Sequence, residues 1–148
     1  MIEYLENNTQ PGLLVSIDFE KAFDSVDLVF MNKVLLKFGF GNDIIKWVKA
    51  FYTDIKSYVM VNGKPSRSIK IERGCRQGDP ISPYLFILCA EILGCKIRAE
   101  HRIKGITVGL KEFKITQFAD DTSCFLRGDK KSFEILFKHW IDLQPFQG

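Results

Sequence analysis

Three short segments of this 148-residue chain carry side chains that could do chemistry together. Asp18 follows the apolar run Leu13-Leu14-Val15-Ser16-Ile17, and Asp120-Asp121 follows a second run ending at Phe118. Between them, Arg73-Gly74-Cys75-Arg76-Gln77-Gly78-Asp79-Pro80 is a glycine-rich loop entering an apolar helix. A carboxylate ending one strand, a paired carboxylate ending another and such a loop are the parts of a two-metal phosphoryl-transfer site. Two ions about 3.5–4 Å apart stabilise both the attacking and the leaving oxygen of an in-line displacement. Mg2+ prefers carboxylate oxygen and keeps several waters, so two or three aspartates and substrate phosphates suffice to hold it. Asp18 and the Asp120-Asp121 pair meet that demand if their strands are neighbours. Adjacent residues of a regular strand face opposite ways, so both aspartates are expected in a hairpin turn.

The elements that must position these residues follow from local patterning. Pro11-Gly12 opens a largely buried strand that ends at Asp18. Asp24 or Ser25 can cap a helix with Val26, Phe30, Val34, Leu35 and Phe38 at helical spacing until Gly39 stops it. Asn42 or Asp43 can start another, carrying Ile44, Ile45, Trp47, Val48 and Phe51. Tyr58 to Val61, Asn62-Gly63 and Ser66 to Ile71 read as a hairpin, and Pro65 suggests a loop longer than two residues. Ile81 to about Ala99 is expected to be a central, buried helix. Gly105 to Leu110 and Phe113 to Phe118 are a candidate strand pair, Thr122 to Leu126 a further strand, and Ser132 can cap a last helix through Trp140. With no repeat, low-complexity tract or linker, the pattern is one α+β domain, a mainly antiparallel sheet packed on helices.

The order and spacing of the motifs resemble the palm of reverse transcriptases, most closely those of non-LTR (LINE-type) retrotransposons. The matching stretches are Ser16-Ile17-Asp18-Phe19-Glu20-Lys21-Ala22-Phe23-Asp24, Arg73 to Pro83, Phe118-Ala119-Asp120-Asp121, and Lys37-Phe38-Gly39-Phe40 followed by Trp47-Val48. The resemblance implies a polymerase palm with a ferredoxin-like core and RNA-directed DNA polymerase activity. It implies Asp18, Asp120 and Asp121 as catalytic metal ligands, with Asp18 and Asp120 ranked above Asp121. Mg2+, with Mn2+ as substitute, is the implied cofactor; an RNA template, a DNA primer and a deoxynucleoside triphosphate are the implied partners. Phe19, Phe23, Arg76, Gln77 and Gly78 are implied nucleotide or template contacts. Phe23 would be the bulky gate that excludes a 2′-hydroxyl, Gln77 would hydrogen-bond nucleotide or template, and Arg76 offers a fork for phosphate. Gly78 lets the backbone approach a base or sugar closely. The chain is expected to be a partial domain over residues 1–148, palm with part of the fingers. Upstream fingers, the lysine-bearing fourth palm motif, primer grip and thumb are expected to be absent, and little turnover is expected of the piece alone.

Plainer readings exist for each motif taken singly. An Asp-Asp pair is commonly a solvated turn, Glu20 and Asp24 suit the first turn of a helix, Phe23 could be an ordinary core ring, Asp79 a helix cap, and Arg73 a surface charge. A net charge of +3 permits a polyanionic partner without requiring one. Cys75, Cys89, Cys95 and Cys124 form no Cys-x-x-Cys pair and His101 and His139 no zinc-like spacing, so free thiols in a reducing compartment are expected, with Cys89 and Cys95 in the core. The apolar run from Ile81 to Cys95 contains Glu91 and falls short of the roughly 18 residues a membrane span needs. Met1-Ile2-Glu3-Tyr4 lacks the pattern of a secretory signal, and an intracellular location, nucleus or cytoplasm, is expected. Two other functions compete with catalysis. One is an inactive retroelement remnant with at most weak, salt-sensitive RNA binding. The other is an RRM-like RNA-binding module, for which the isolated Tyr58 and Phe118 supply no RNP-type sequence.

Overall fold

The computed structural model describes residues 11–19 and 21–143. Glu20 and the first ten residues, on which the secretory-signal reading rests, lie outside the described residues. The chain divides into two compact units, residues 11–19 with 90–143 and residues 21–89.

The first unit is built on β1 (Leu13–Ile17), β8 (Ile115–Phe118) and β9 (Asp121–Leu126), in the antiparallel order β1-β9-β8. The ladder runs from Leu13 opposite Leu126 to Ile17 opposite Thr122, and Phe118 pairs with Asp121 across the β8–β9 turn. Alternation along central β9 buries Thr122, Cys124 and Leu126, as a half-covered strand requires. The second half of α4 (Ser82–Ala99) buries Ile92, Leu93 and Ile97. It comes close to β8: the Gln117 amide donates to the Ala90 carbonyl (3.2 Å), and a Cβ on Gly94 would strike the Gln117 side chain. A separate hairpin, β6 (Ile106–Val108) with β7 (Lys111–Phe113), turns at Gly109-Leu110. The expected pairing of 105–110 with 113–118 is therefore replaced by two hairpins, because the chain breaks at Lys114 and β8 pairs forward with β9.

The last helix, α5 (Lys130–Ile141), is capped by Asp129 and not by Ser132. Asp129 accepts hydrogen bonds from the Ser132 N–H (2.8 Å) and hydroxyl (2.7 Å), while the buried Ser132 hydroxyl also accepts the Lys104 N–H (3.0 Å). The Ser132 hydroxyl, then its N–H, hold the Asp129 carboxyl below its ordinary value. A depressed carboxyl stabilises the fold above its unfolded pKa and loses that contribution as pH falls through the folded value. Asp129→Asn should thus be less stable than the parent at about pH 6, and the gap should narrow as pH falls below about 4. Urea unfolding midpoints across that range check this; a gap independent of pH would refute it.

In the second unit, α1 (Ala22–Ser25) is one turn and α2 (Leu28–Lys37) begins afresh after it. The cap is Asp27, which accepts the Phe30 N–H at 2.6 Å, in place of the expected Asp24 or Ser25. Extended backbone at Val26 and Asp27 interrupts the apolar periodicity. Helix α3 (Asn42–Tyr52) buries Ile45, Val48 and Tyr52 and exposes Ile44, Trp47 and Phe51. Two short antiparallel ladders follow, β2 (Lys56–Ser57) with β5 (Ile69–Lys70) and β3 (Met60–Val61) with β4 (Lys64–Pro65). The loop is two residues, not longer: Asn62 and Gly63 both have positive φ (48° and 76°), as a type I′ turn demands, and Pro65 sits in β4 opposite Met60. Helix α4 is as long as expected but not wholly buried, since Tyr84 and Ile87 are exposed. Among the described residues no helix is long and apolar enough to cross a membrane.

The cysteines are free, and three are buried; Cys95, expected in the core, is exposed because α4 turns it away from its buried stripe. Burial pushes the thiols of Cys75 and Cys124 up to about 11 and about 12 and that of Cys89 up as well, so all three stay protonated near neutral pH.

Candidate active site

In the first unit, the sheet delivers the aspartates. β1 ends at Ile17, opposite Thr122, so Asp18 and Asp121 are each the next residue past the last β1–β9 pair. Residues about a hundred positions apart in sequence thus share one sheet end. The turn between β8 and β9 consists of Ala119 and Asp120; Asp121 is already the first residue of β9, so one aspartate, not both, occupies the turn. Ala119 takes a left-handed φ of 54° to close it, a conformation that L-residues other than glycine seldom adopt. Asp18 and Asp121 are exposed and Asp120 is half-buried. Just beyond Asp18, Phe19 is 3% exposed, its ring edge-on to Trp140 with centroids 4.9 Å apart. That contact turns the ring of Phe19 into the core and anchors the strand end. A groove of about 330 Å3 between β1 and α5, lined by Val15, Ile17, Asp18, Leu136, Phe137 and Trp140 among others, adjoins it.

Among the described residues no ion pair or hydrogen bond holds the carboxylates of Asp18, Asp120 and Asp121. Nor do three His, Cys, Asp or Glu side chains anywhere among them gather as a metal-holding group. The three aspartates stand as an open acidic edge of oxygen donors, not as a closed cage. Such an edge fits an ion that binds one or two carboxylates and takes its remaining ligands from substrate phosphates and water.

In the second unit, the loop after β5 is strapped to the α1 turn. The N–H groups of Gly74 and Cys75 donate to the carbonyls of Val26 (2.8 Å) and Phe23 (2.7 Å). Gly74 has a φ of 94°, and a Cβ there would lie 3.0 Å from backbone atoms of Asp24. Gly74→Ala should therefore destabilise the chain by more than the about 1–2 kcal/mol of left-handed strain alone. Denaturant unfolding checks this; an unchanged midpoint would show that the loop shifts freely. The Gln77 amide reaches the Asp24 carboxylate (3.3 and 3.5 Å). Asp79 accepts the Ile81 N–H (3.1 Å), in keeping with a cap for α4. Phe23 is half-buried and stacked on Phe86, with centroids 5.0 Å apart and planes at 22°. Arg76 and Gln77 are exposed and line an open groove of about 650 Å3 with Asp24, Lys56, Ser57 and Arg73. Arg73, read from sequence as a plain surface charge, thus faces the same groove as Arg76. Gly78 and Phe23 lie outside its lining.

An antiparallel sheet packed on helices, with aspartates where its strands end, is the architecture of a polymerase palm. Residues 2–145 match the family model described as reverse transcriptase (RNA-dependent DNA polymerase), and the chain belongs to that family. It is 33% identical over 109 residues to a retrovirus-related Pol polyprotein from the type-1 retrotransposable element R2 of Popillia japonica, covering 73% of this chain and 15% of the relative. It is 30% identical over 109 residues to the transposon TX1 uncharacterized 149 kDa protein of Xenopus laevis, covering 72% and 8%. An uncharacterized mitochondrial protein of Arabidopsis thaliana is 48% identical over 69 residues, 43% of this chain and 57% of that protein. These relatives bear out the resemblance to non-LTR retrotransposon reverse transcriptases. The chain spans less than a fifth of the length of the R2 and TX1 proteins.

Proposed function

We propose that the chain is the palm of an RNA-directed DNA polymerase, in which Asp18 and Asp120, with Asp121 secondary, hold Mg2+ for nucleotidyl transfer. The observation that carries this reading is the β1–β9 register, which assigns Asp18 and the Asp120-Asp121 pair to one end of one sheet. Bound Mg2+ would neutralise triphosphate charge and favour ionisation of the primer 3′-hydroxyl that attacks the α-phosphate as pyrophosphate leaves. The chain's own part is to hold oxygen donors at the sheet end and to bind and orient the nucleotide. Arg76 would offer its planar fork to phosphate and Gln77 a hydrogen bond to nucleotide or template. Gly78, whose would-be Cβ meets no atom within 4 Å, leaves open space for close backbone approach. Phe23, backed by Phe86, would exclude a 2′-hydroxyl, whereas buried Phe19 would act by anchoring the strand that carries Asp18. The partners in this reading are an RNA template, a DNA primer and deoxynucleoside triphosphates, inside the cell where free thiols persist.

The direct test is extension of a DNA primer on an RNA template, with Mg2+ and deoxynucleotides, by a polymerase carrying this segment. Templated incorporation lost on chelation of Mg2+ is expected. Salt-sensitive RNA retention without incorporation, unchanged by Asp18→Asn, would instead identify an inactive remnant.

A further inference from the structure

We propose that Gln117 is a positioning residue for the Asp120-Asp121 turn, tying the hairpin that carries it to helix α4 through a notch left open at Gly94. β8 lies at one edge of the sheet, paired on the β9 side alone. Across the ladder Gln117 stands opposite Thr122, and Thr122 opposite Ile17 of β1. Directly opposed residues share a face, and Thr122 is buried, so Ile17, Thr122 and Gln117 form the inward-facing row nearest the aspartates. The next rung, Phe118 with Asp121, has both side chains exposed and gives the turn no hold on the core. In the inward row the Gln117 Nε2 donates to the Ala90 carbonyl of α4 at 3.2 Å and stands 3.5 Å from the Thr122 hydroxyl. Gly94, one turn along α4 from Ala90, is buried, and a Cβ there would collide with the Gln117 Oε1. The amide fits because α4 has no side chain at that position. Reversing it would set its oxygen against the Ala90 carbonyl, so the sense of the amide follows from that contact. The Oε1 is buried and, among the described residues, accepts no hydrogen bond. A buried acceptor without a donor weakens a fold, and methionine, of similar length, would fill the space without one. Stability alone therefore does not call for glutamine here. What the amide adds is direction: its N–H holds β8 at a set distance from the α4 backbone, three residues before Asp120.

The tie itself does not depend on chemistry at the turn, whereas its purpose rests on the metal-ligand reading of Asp120; two readouts keep them apart. Amide hydrogen exchange of the whole chain, followed by mass spectrometry, reports on the turn with no metal present. Bound Mn2+, counted by loss of the free-ion electron paramagnetic resonance signal, reports on the aspartates. Gly94→Ala leaves every residue of the hairpin unchanged, but its methyl group displaces the Gln117 amide, the far end of a flexible side chain. The tips of the part-exposed Arg98–Glu91 ion pair, which the methyl also meets, yield into solvent. Alanine in place of a helix glycine favours the helix, so the urea midpoint should stay level or rise. Exchange across residues 116–122 should nevertheless quicken about tenfold, with 124–126 and α5 still protected, because the turn opens locally. Mn2+ affinity should fall about tenfold, the low end of the loss that follows removal of an outer contact of a metal ligand. Gln117→Met, which keeps the length and removes the orphaned oxygen, should repeat all three results, and it decides alone if Gly94→Ala does not fold. Unchanged exchange at the turn in the folded variants, or a rise spread evenly over the unit with a lowered midpoint, would overturn the tie. Mn2+ affinity lost in Asp120→Asn yet kept where the turn has loosened would overturn its positioning role. Selective loosening, with Mn2+ affinity untouched by Asp120→Asn, would leave the tie standing and remove the metal-ligand reading instead.

Discussion

Asp18→Asn and Asp120→Asn should each lower RNA-templated nucleotide incorporation by about a hundredfold to a thousandfold or more, the scale on which loss of one preorganised charge-stabilising group is felt. Asparagine keeps the shape of aspartate and one oxygen but not the negative charge that a divalent ion requires. Neither substitution should disturb the fold: among the described residues neither carboxylate has a hydrogen-bond or ion-pair partner, and both lie beyond the ladder's last pairs. Asp121→Asn should have the smaller effect, as the ranking of the pair implies. Primer extension beside urea unfolding of the same variants tests this. Activity retained by either of the first two variants would remove the metal-ligand assignment, and lost activity with a lowered midpoint would reassign the residue to folding.

The largest expected effect on stability is that of Phe86→Ala. Phe86 is 1% exposed, faces the stacked ring of Phe23 and sits in the long helix α4. Truncating a buried phenylalanine to alanine typically costs about 3–5 kcal/mol, combining lost transfer energy with the cavity left behind. Against the about 5–15 kcal/mol that hold an ordinary domain together, this is a large share of the total stability. Phe86→Leu keeps most of the volume and should cost far less, but removes the flat surface under Phe23. A midpoint for Phe86→Ala within error of the parent would mean that the site collapses around the missing ring.

The motifs were legible in the sequence because each rests on local chemistry: an apolar strand stopping at Asp18, a glycine loop entering α4, an Asp-Asp pair at a tight turn. Pairing of β1 with β9 was expected through the resemblance, not from periodicity, since strand order is a non-local property. Where local rules compete, the reading was less good. Asp24, Ser25 and Asp27 are all plausible caps within four positions, and extended backbone at Val26 decided for Asp27. Pro65 argues against a tight turn, yet a two-residue ladder leaves room for proline in a strand opposite Met60. Cys95 fell within an apolar run, and only the packing of α4 determines which side of that run meets the core. The helical spacing of α3 is equally compatible with Trp47 and Phe51 facing the core, yet these are exposed and Tyr52 is buried. The buried stripe of Ile45, Val48 and Tyr52 was a signal already present in the sequence.

The register that unites Asp18 with Asp120 and Asp121 also fixes an order of events. β1 lies near the start of the chain and its partner β9 about a hundred positions later, so their ladder closes a long loop whose entropy must be met before any pair forms. At a ribosome adding about 5–20 residues per second, Leu13 to Ile17 emerge several seconds before Thr122 to Leu126 exist. During that interval the segment with Leu13, Leu14, Val15 and Ile17 is an unpaired apolar strand, open to wrong neighbours. The acidic edge is therefore among the last features of its unit to be assembled, and the nascent chain is most vulnerable to misassociation just before it gains the geometry proposed for chemistry.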